Sequence, residues 1–127
     1  MGNFSDLYVQ ETVSIIDALG RGAIERAAQG IAAVRERGGR PFILDLDGSA
    51  AHASHAVNEF RKLCGVEAYA PTENVSELTA RTNDEGRDTT FNRWLQVSRL
   101  GADALLVFSG GGGDQESNSS GRWESVR

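Results

Sequence analysis

The sequence predicts a three-layered α/β domain, a parallel sheet covered by helices on both faces, and three observations carry that prediction. Short apolar runs at residues 42–46, 66–70 and 103–108 alternate with segments of helical period. The first and last runs lead straight into the turns Gly48-Ser49 and Ser109-Gly110, as strands of alternating α/β folds do. The first run is unbroken in its apolar character, which suits a strand buried on both faces. Right-handed crossovers would make the strands parallel and put ligands at their carboxyl ends.

In chain order, Ser5 can cap a helix running to about Leu19, with Leu7, Val13 and Ile16 among its apolar positions and Gly20 and Gly22 as a break. Ile24, Ala27, Ala28, Ile31 and Val34 then recur at helical spacing, and Gly38-Gly39 stops that second helix. Pro41 opens the first strand, residues 42–46, followed by a helix over 49–63 and a second strand over 66–70 that Pro71 ends. Asn74 with Glu77 three residues on forms a capping box for a short helix to about Arg81, and Asn83-Asp84-Glu85-Gly86 reads as a loop. Asp88 is expected to cap a helix whose apolar side holds Phe91, Trp94, Leu95 and Leu100, closed by Gly101. The third strand, 103–108, delivers the chain into a glycine-rich loop ending at Asp114. Beyond it only Trp123 and Val126 are apolar, so the boundaries expected are a domain over 1–114 and a polar, frayed tail over 115–127.

A chain of 127 residues with 39% apolar composition is of single-domain size. A formal charge of -5 and a single lysine, Lys62, argue against nucleic acid, which clustered basic residues would hold. An anionic ligand would therefore depend on backbone amides, and a helix start after a strand supplies them. Cys64, the only cysteine, excludes an internal disulfide and is expected as a small buried hydrophobe. Neither a leader-like segment nor a run of about 18 apolar residues occurs, so a cytoplasmic protein with no membrane partner is expected.

His55 and Glu59 stand four apart and so share one helical face, near enough to ligate one metal or to act on one substrate. A closed zinc site needs further ligands, and His52 is the only other histidine. A competing pattern is Ile43-Leu44-Asp45-Leu46-Asp47-Gly48-Ser49, which resembles the first motif of haloacid dehalogenase-like phosphatases. That resemblance implies Asp45 as nucleophile, Asp47 as acid and base, and Mg²⁺ between them and a phosphate. The lysine or arginine and the further acidic motif that should follow Ser109 on a buried strand have no counterpart.

Residues 48–59, from Gly48-Ser49 to His55 and Glu59, resemble the strand-end segment of sugar isomerase (SIS) domains, most closely phosphoheptose isomerases. Asn74 to Thr79 is similar to the family's substrate-side helix, Asn83-Asp84 to its substrate-contacting pair, and Leu105 to Asp114 to its phosphate loop. The resemblance covers roughly residues 3–114 and implies an SIS (Rossmann-like) fold, incomplete after its third strand. It implies isomerisation of D-sedoheptulose 7-phosphate through an enediol, with Glu59 as base. Gly48, Ser49, Asn83, Asp84, Ser109, Gly110 and Gly111 would hold sugar and phosphate, and His55 with Glu59 would form part of the zinc site of some members. It also implies a homo-oligomer with sites built between subunits, and His55 and Glu59 facing one cleft with Ser109 and Asn83. A non-catalytic partial SIS domain is the alternative. The chain departs from the family where Asp45 and Asp47 replace small residues of the turn: a phosphate about 6 Å from one carboxylate, at an effective dielectric near 20, would be repelled by roughly 3 kcal/mol.

Overall fold

A computed structural model describes residues 3–45 and 48–110. The chain divides into two compact units, residues 1–30 and 31–127. The expected boundary at 114 and the polar tail lie outside the described residues.

In the first unit, α1 spans Phe4–Ala18. Its cap is Asn3 rather than Ser5: the Asn3 Oδ1 accepts the Asp6 N–H at 2.9 Å, which starts the helix two residues earlier. Asp6 then sits in the first turn, where the helix dipole favours a negative charge. No residue of α1 is buried, and Phe4, Tyr8, Ile15 and Ile16 are all more than half exposed. The next helix, α2, spans Arg21–Glu36.

The second unit is built around one strand. β1, Pro41–Asp45, is buried along its whole length, as its unbroken apolar sequence requires. β2, Ala104–Phe108, pairs with it in parallel, in a register running from Pro41 with Ala104 to Asp45 with Phe108. The expected strand over 66–70 contracts to a single parallel bridge, Tyr69 with Phe42, made by the Ile43 and Tyr69 amides. Val66, Ala68 and Ala70 still alternate into the core, but Pro71 turns the chain away before a second pair can form. Leu46, the expected last residue of the first strand, lies outside the described residues.

Each face of β1 has its own core. Ile43 packs with Ala53 and Val57 of α3 (Ala50–Cys64) and with Ala68 and Ala70, and Leu106 and Phe108 of β2 join them. Phe42 and Leu44 point the other way, to Phe91 and Leu95 of α5 (Thr90–Ser98) and to Leu78 of α4 (Val75–Glu85). These are the three layers predicted.

The amino ends of the strands are locked together. The Asp103 carboxylate accepts from the Arg40 amide, from two nitrogens of its guanidinium (2.8 and 3.2 Å) and from the Leu100 amide at 2.7 Å. Hydrogen bonding to Arg40 holds the Asp103 carboxyl down at about 2. Gly39 is needed beside this lock because a Cβ there would run into the Ala102 carbonyl.

Three further expectations change. α4 continues to Glu85, so Asn83 and Asp84 are helical rather than in a loop. The capping box forms as read, with the Asn74 Oδ1 accepting the Glu77 amide at 3.2 Å. Arg81 then bridges to Glu77 and Glu85, one turn away on either side, and carries the helix on until Gly86 at φ +88° ends it. Asp88 falls inside a 3₁₀ turn, Arg87–Thr89, so α5 starts later than expected. α5 also stops at Ser98, which leaves Leu100 65% exposed and off the apolar side. Cys64, expected buried, is exposed at the end of α3. No described helix is long and apolar enough to cross a membrane.

Candidate functional site

A cavity of about 830 Å³ lies at the carboxyl end of β1, within the size range of small-ligand sites. Asp45 and the first residue of α3, Ala50, form one side, and Thr72 stands beside them. One face of α4 supplies Leu78, Thr79, Thr82 and Asn83, residues at spacings of three and four that a helix lines up. Arg87, Thr90 and Phe91 complete the lining. Asp45 and Thr90 are each only 2% exposed, whereas Arg87 is exposed and sits at the rim.

The hydroxyls of the lining are oriented by their own helices. Thr79 Oγ1 donates to the Val75 carbonyl at 2.8 Å and Thr82 Oγ1 to the Leu78 carbonyl at 2.7 Å. The Thr82 and Thr90 hydroxyls meet at 3.4 Å. Asn83 Nδ2 donates to Asp84 Oδ1 at 2.8 Å. The Thr72 hydroxyl oxygen is buried with no hydrogen-bond partner among the described residues.

The residues expected to converge are divided between two places. Asn83 enters the cavity, while His55 and Glu59 do not line it. α3 packs through Ala53 and Val57, and residues two positions further on lie about 200° round the helix. The His55 and Glu59 side chains accordingly retain 75% and 41% of their exposure. Their closest approach, Nε2 to Oε1, is 3.9 Å, and that Oε1 accepts from Asn58 Nδ2 at 3.0 Å. Gly48 is exposed, and Ser49 is half-buried at the cap of α3, where its side chain makes no capping bond. Ser109 and Gly110 are exposed directly after Phe108, the partner of Asp45, which brings the start of the expected phosphate loop to the strand end beside that carboxylate. Asp47 and Gly111 lie outside the described residues.

Among the described residues, His55 and Glu59 do not by themselves complete a zinc site. His55 and Glu59 supply two donors where a site needs three or four, and no group of three His, Cys, Asp or Glu gathers among the described residues.

Sequence reading missed Thr72, Thr82, Arg87 and Thr90 as lining, and reached Thr79 only within the segment that resembles the family's substrate-side helix. The signal for the α4 residues was present: 78, 79, 82 and 83 form a helical stripe. It was hidden by ending that helix at Arg81.

No protein-family model matches the chain. The phosphoheptose isomerase of Roseiflexus sp. is 34% identical over an aligned stretch of 122 residues, covering 84% of this chain and 61% of the relative. That of Chlorobium phaeobacteroides is 38% identical over 112, covering 82% and 48%. Among solved structures, phosphoheptose isomerase GmhA from Neisseria gonorrhoeae superposes with a TM-score of 0.69 at 25% identity, over 80% of this chain and 54% of that one. The chain thus spans about half to three fifths of the length of the relatives it matches.

Proposed function

We propose, from the premise that this chain belongs to the phosphoheptose isomerase-like SIS domains, that it binds a sugar phosphate and interconverts ketose and aldose forms of the sedoheptulose 7-phosphate type. The observation that carries the reading is the cavity at the carboxyl end of β1 with Asn83 in its wall, where open α/β sheets bind ligands. Ser109 and Gly110 would meet the phosphate through hydroxyl and amide donors, and Gly48, Ser49 and Asp84 would stand around the sugar, as the resemblance implies.

Glu59 is the base in this reading. It takes a proton from C1 of the ketose while O2 gains one, giving the enediol. The proton then returns to C2 as O1 loses its own, which leaves the aldose. A half-exposed carboxylate is bathed in water that competes for such a proton, and covering it would exclude that water from the reacting carbon. Because Glu59 and His55 face outward from α3, the surface that covers them would come from a second copy of the chain, so the active form in this reading is a homo-oligomer. No step is assigned to zinc. The free thiol of Cys64 is in keeping with a reducing, cytoplasmic setting.

The test is turnover of D-sedoheptulose 7-phosphate by the purified chain, with its mass in solution measured alongside. Glu59→Gln should lower kcat by about 10²- to 10⁴-fold without changing the melting temperature. An unchanged kcat would remove Glu59 as base. Sugar-phosphate binding with no turnover by the parent would leave a non-catalytic SIS domain.

A further inference from the structure

We infer that Thr72 is a specificity-determining residue of the cavity, its buried hydroxyl pairing with one hydroxyl group on the carbon chain of the ligand. The inference rests on the sugar-phosphate reading and adds to it a contact that the resemblance does not supply.

Among the described residues four threonines line the cavity, Thr72, Thr79, Thr82 and Thr90. Thr79 and Thr82 donate to carbonyls of their own helix, α4, and the Thr82 and Thr90 hydroxyls meet. The Thr72 oxygen is buried and meets no partner among the described residues.

The difference comes from the backbone that precedes each residue. A threonine inside a helix can turn its hydroxyl back to the carbonyl three or four positions earlier. Thr72 instead sits in a short 3₁₀ turn, Pro71–Glu73, entered from extended backbone at Ala70. The carbonyls three and four positions before it are already in use: that of Tyr69 accepts the Ile43 amide at 2.8 Å, and that of Ala68 accepts Arg61 Nη1 at 3.2 Å. The turn itself is fixed, because Pro71 is buried and the Ala70 and Pro71 carbonyls accept the Glu73 and Asn74 amides at 3.0 and 3.2 Å. Thr72 is thus held at the cavity wall with one proton to give and lone pairs to offer. A buried hydroxyl left unpaired is costly, and a sugar hydroxyl, itself both donor and acceptor, matches it from inside the cavity. Such a contact discriminates against an analogue that lacks the hydroxyl.

The experiment titrates the full ¹⁵N-labelled chain with D-sedoheptulose 7-phosphate, following the amides of Thr79 and Thr82, in the parent, in Thr72→Val and in Thr72→Ser. The sugar phosphate should move these amides in the parent. Thr72→Val, which keeps the shape and removes the hydroxyl, should weaken binding by about 10-fold, and Thr72→Ser should restore it to within about 2-fold. One of the analogues deoxygenated singly at C3, C4, C5 or C6 should bind the parent about 10-fold more weakly and lose nothing further in Thr72→Val. The ligand-free melting temperature should be unchanged or higher in Thr72→Val, since no bond within the chain is lost. A lower one would show that the hydroxyl serves the fold and would overturn the inference. Equal affinity of Thr72→Val and the parent, with the amides still moving, would overturn it while leaving the isomerase reading intact. The expected loss in Thr72→Val with no turnover by the parent would do the reverse. If the sugar phosphate moves neither amide, both fail.

Discussion

Helices α3 and α4 each carry polar residues one turn apart, His55 with Glu59 and Thr79 with Asn83, yet of the two only the second pair lines the cavity at the end of β1. Spacing alone gives both pairs a shared face. What separates them is which face each helix buries. α3 turns Ala53 and Val57 into the core and so sends His55 and Glu59 outward. α4 has no buried residue and touches the core only through Leu78. Its polar stripe is left facing the end of β1 across open space, and that space is the cavity. A shared helical face is therefore a necessary condition for a site, and the packing partner decides whether it is one.

The largest test of this contrast is Leu95→Ala. Leu95 is 1% exposed in the core behind α4 and α5, so its truncation should cost about 3 kcal/mol in denaturant unfolding. It should loosen the cavity face before the α3 face, a difference that hydrogen exchange on α4 against α3 would measure. Equal loosening of both helices would show that the two cores are not separate.

Next comes the lock under both helices. Asp103→Asn, which weakens charge-assisted bonds to Arg40, should cost about 2 kcal/mol and affect α3 and α4 alike. Because the folded Asp103 carboxyl is held near 2 against an ordinary value of 3.8, its contribution is complete above about pH 4. It is lost as pH falls through that value toward 2. An acid unfolding curve that is unchanged in Asp103→Asn would contradict the assignment.

Two smaller effects are confined to α4. Gly86→Ala forces a side chain into φ +88° and should cost about 1 kcal/mol. Arg81→Ala removes its partly exposed bridges to Glu77 and Glu85 and should cost about 0.5 kcal/mol. It should also fray the helix from its carboxyl end, visible as faster exchange at Asn83 and Asp84. If the end of α4 is unaffected, the network is not what carries the helix past Arg81.

Much of this architecture was legible in the sequence because β1 and the faces of α3 and α5 are written in apolar period. The Asn74 and Glu77 box also announced α4 correctly at its start. Its end was misread because Asn83, Asp84 and Gly86 look like loop residues, while the ion pairs of Arg81 depend on a helix being there already. The second strand was overread for the opposite reason. Val66, Ala68 and Ala70 alternate as a strand would, but Pro71 limits the pairing to one bridge. Of the candidate site, Asn83 was found by resemblance and Asp45 by its odd place in the turn. Thr79 and Thr82 lie on a helical stripe that ending the helix at Arg81 hid, whereas Thr72 and Thr90 escaped because their role comes from three-dimensional closure at the end of β1, to which local pattern is blind.

The central claim, as proposed above, is that Glu59, outward on α3, moves a proton on a sugar held on the α4 side of a second copy. It is tested most directly by incubating the chain with D-sedoheptulose 7-phosphate in D₂O and following C1 and C2 by NMR. The account predicts conversion to aldose, or deuterium entering at C1, in the parent and neither in Glu59→Gln. Binding of the sugar phosphate with no change at either carbon, or equal change in both proteins, would contradict it.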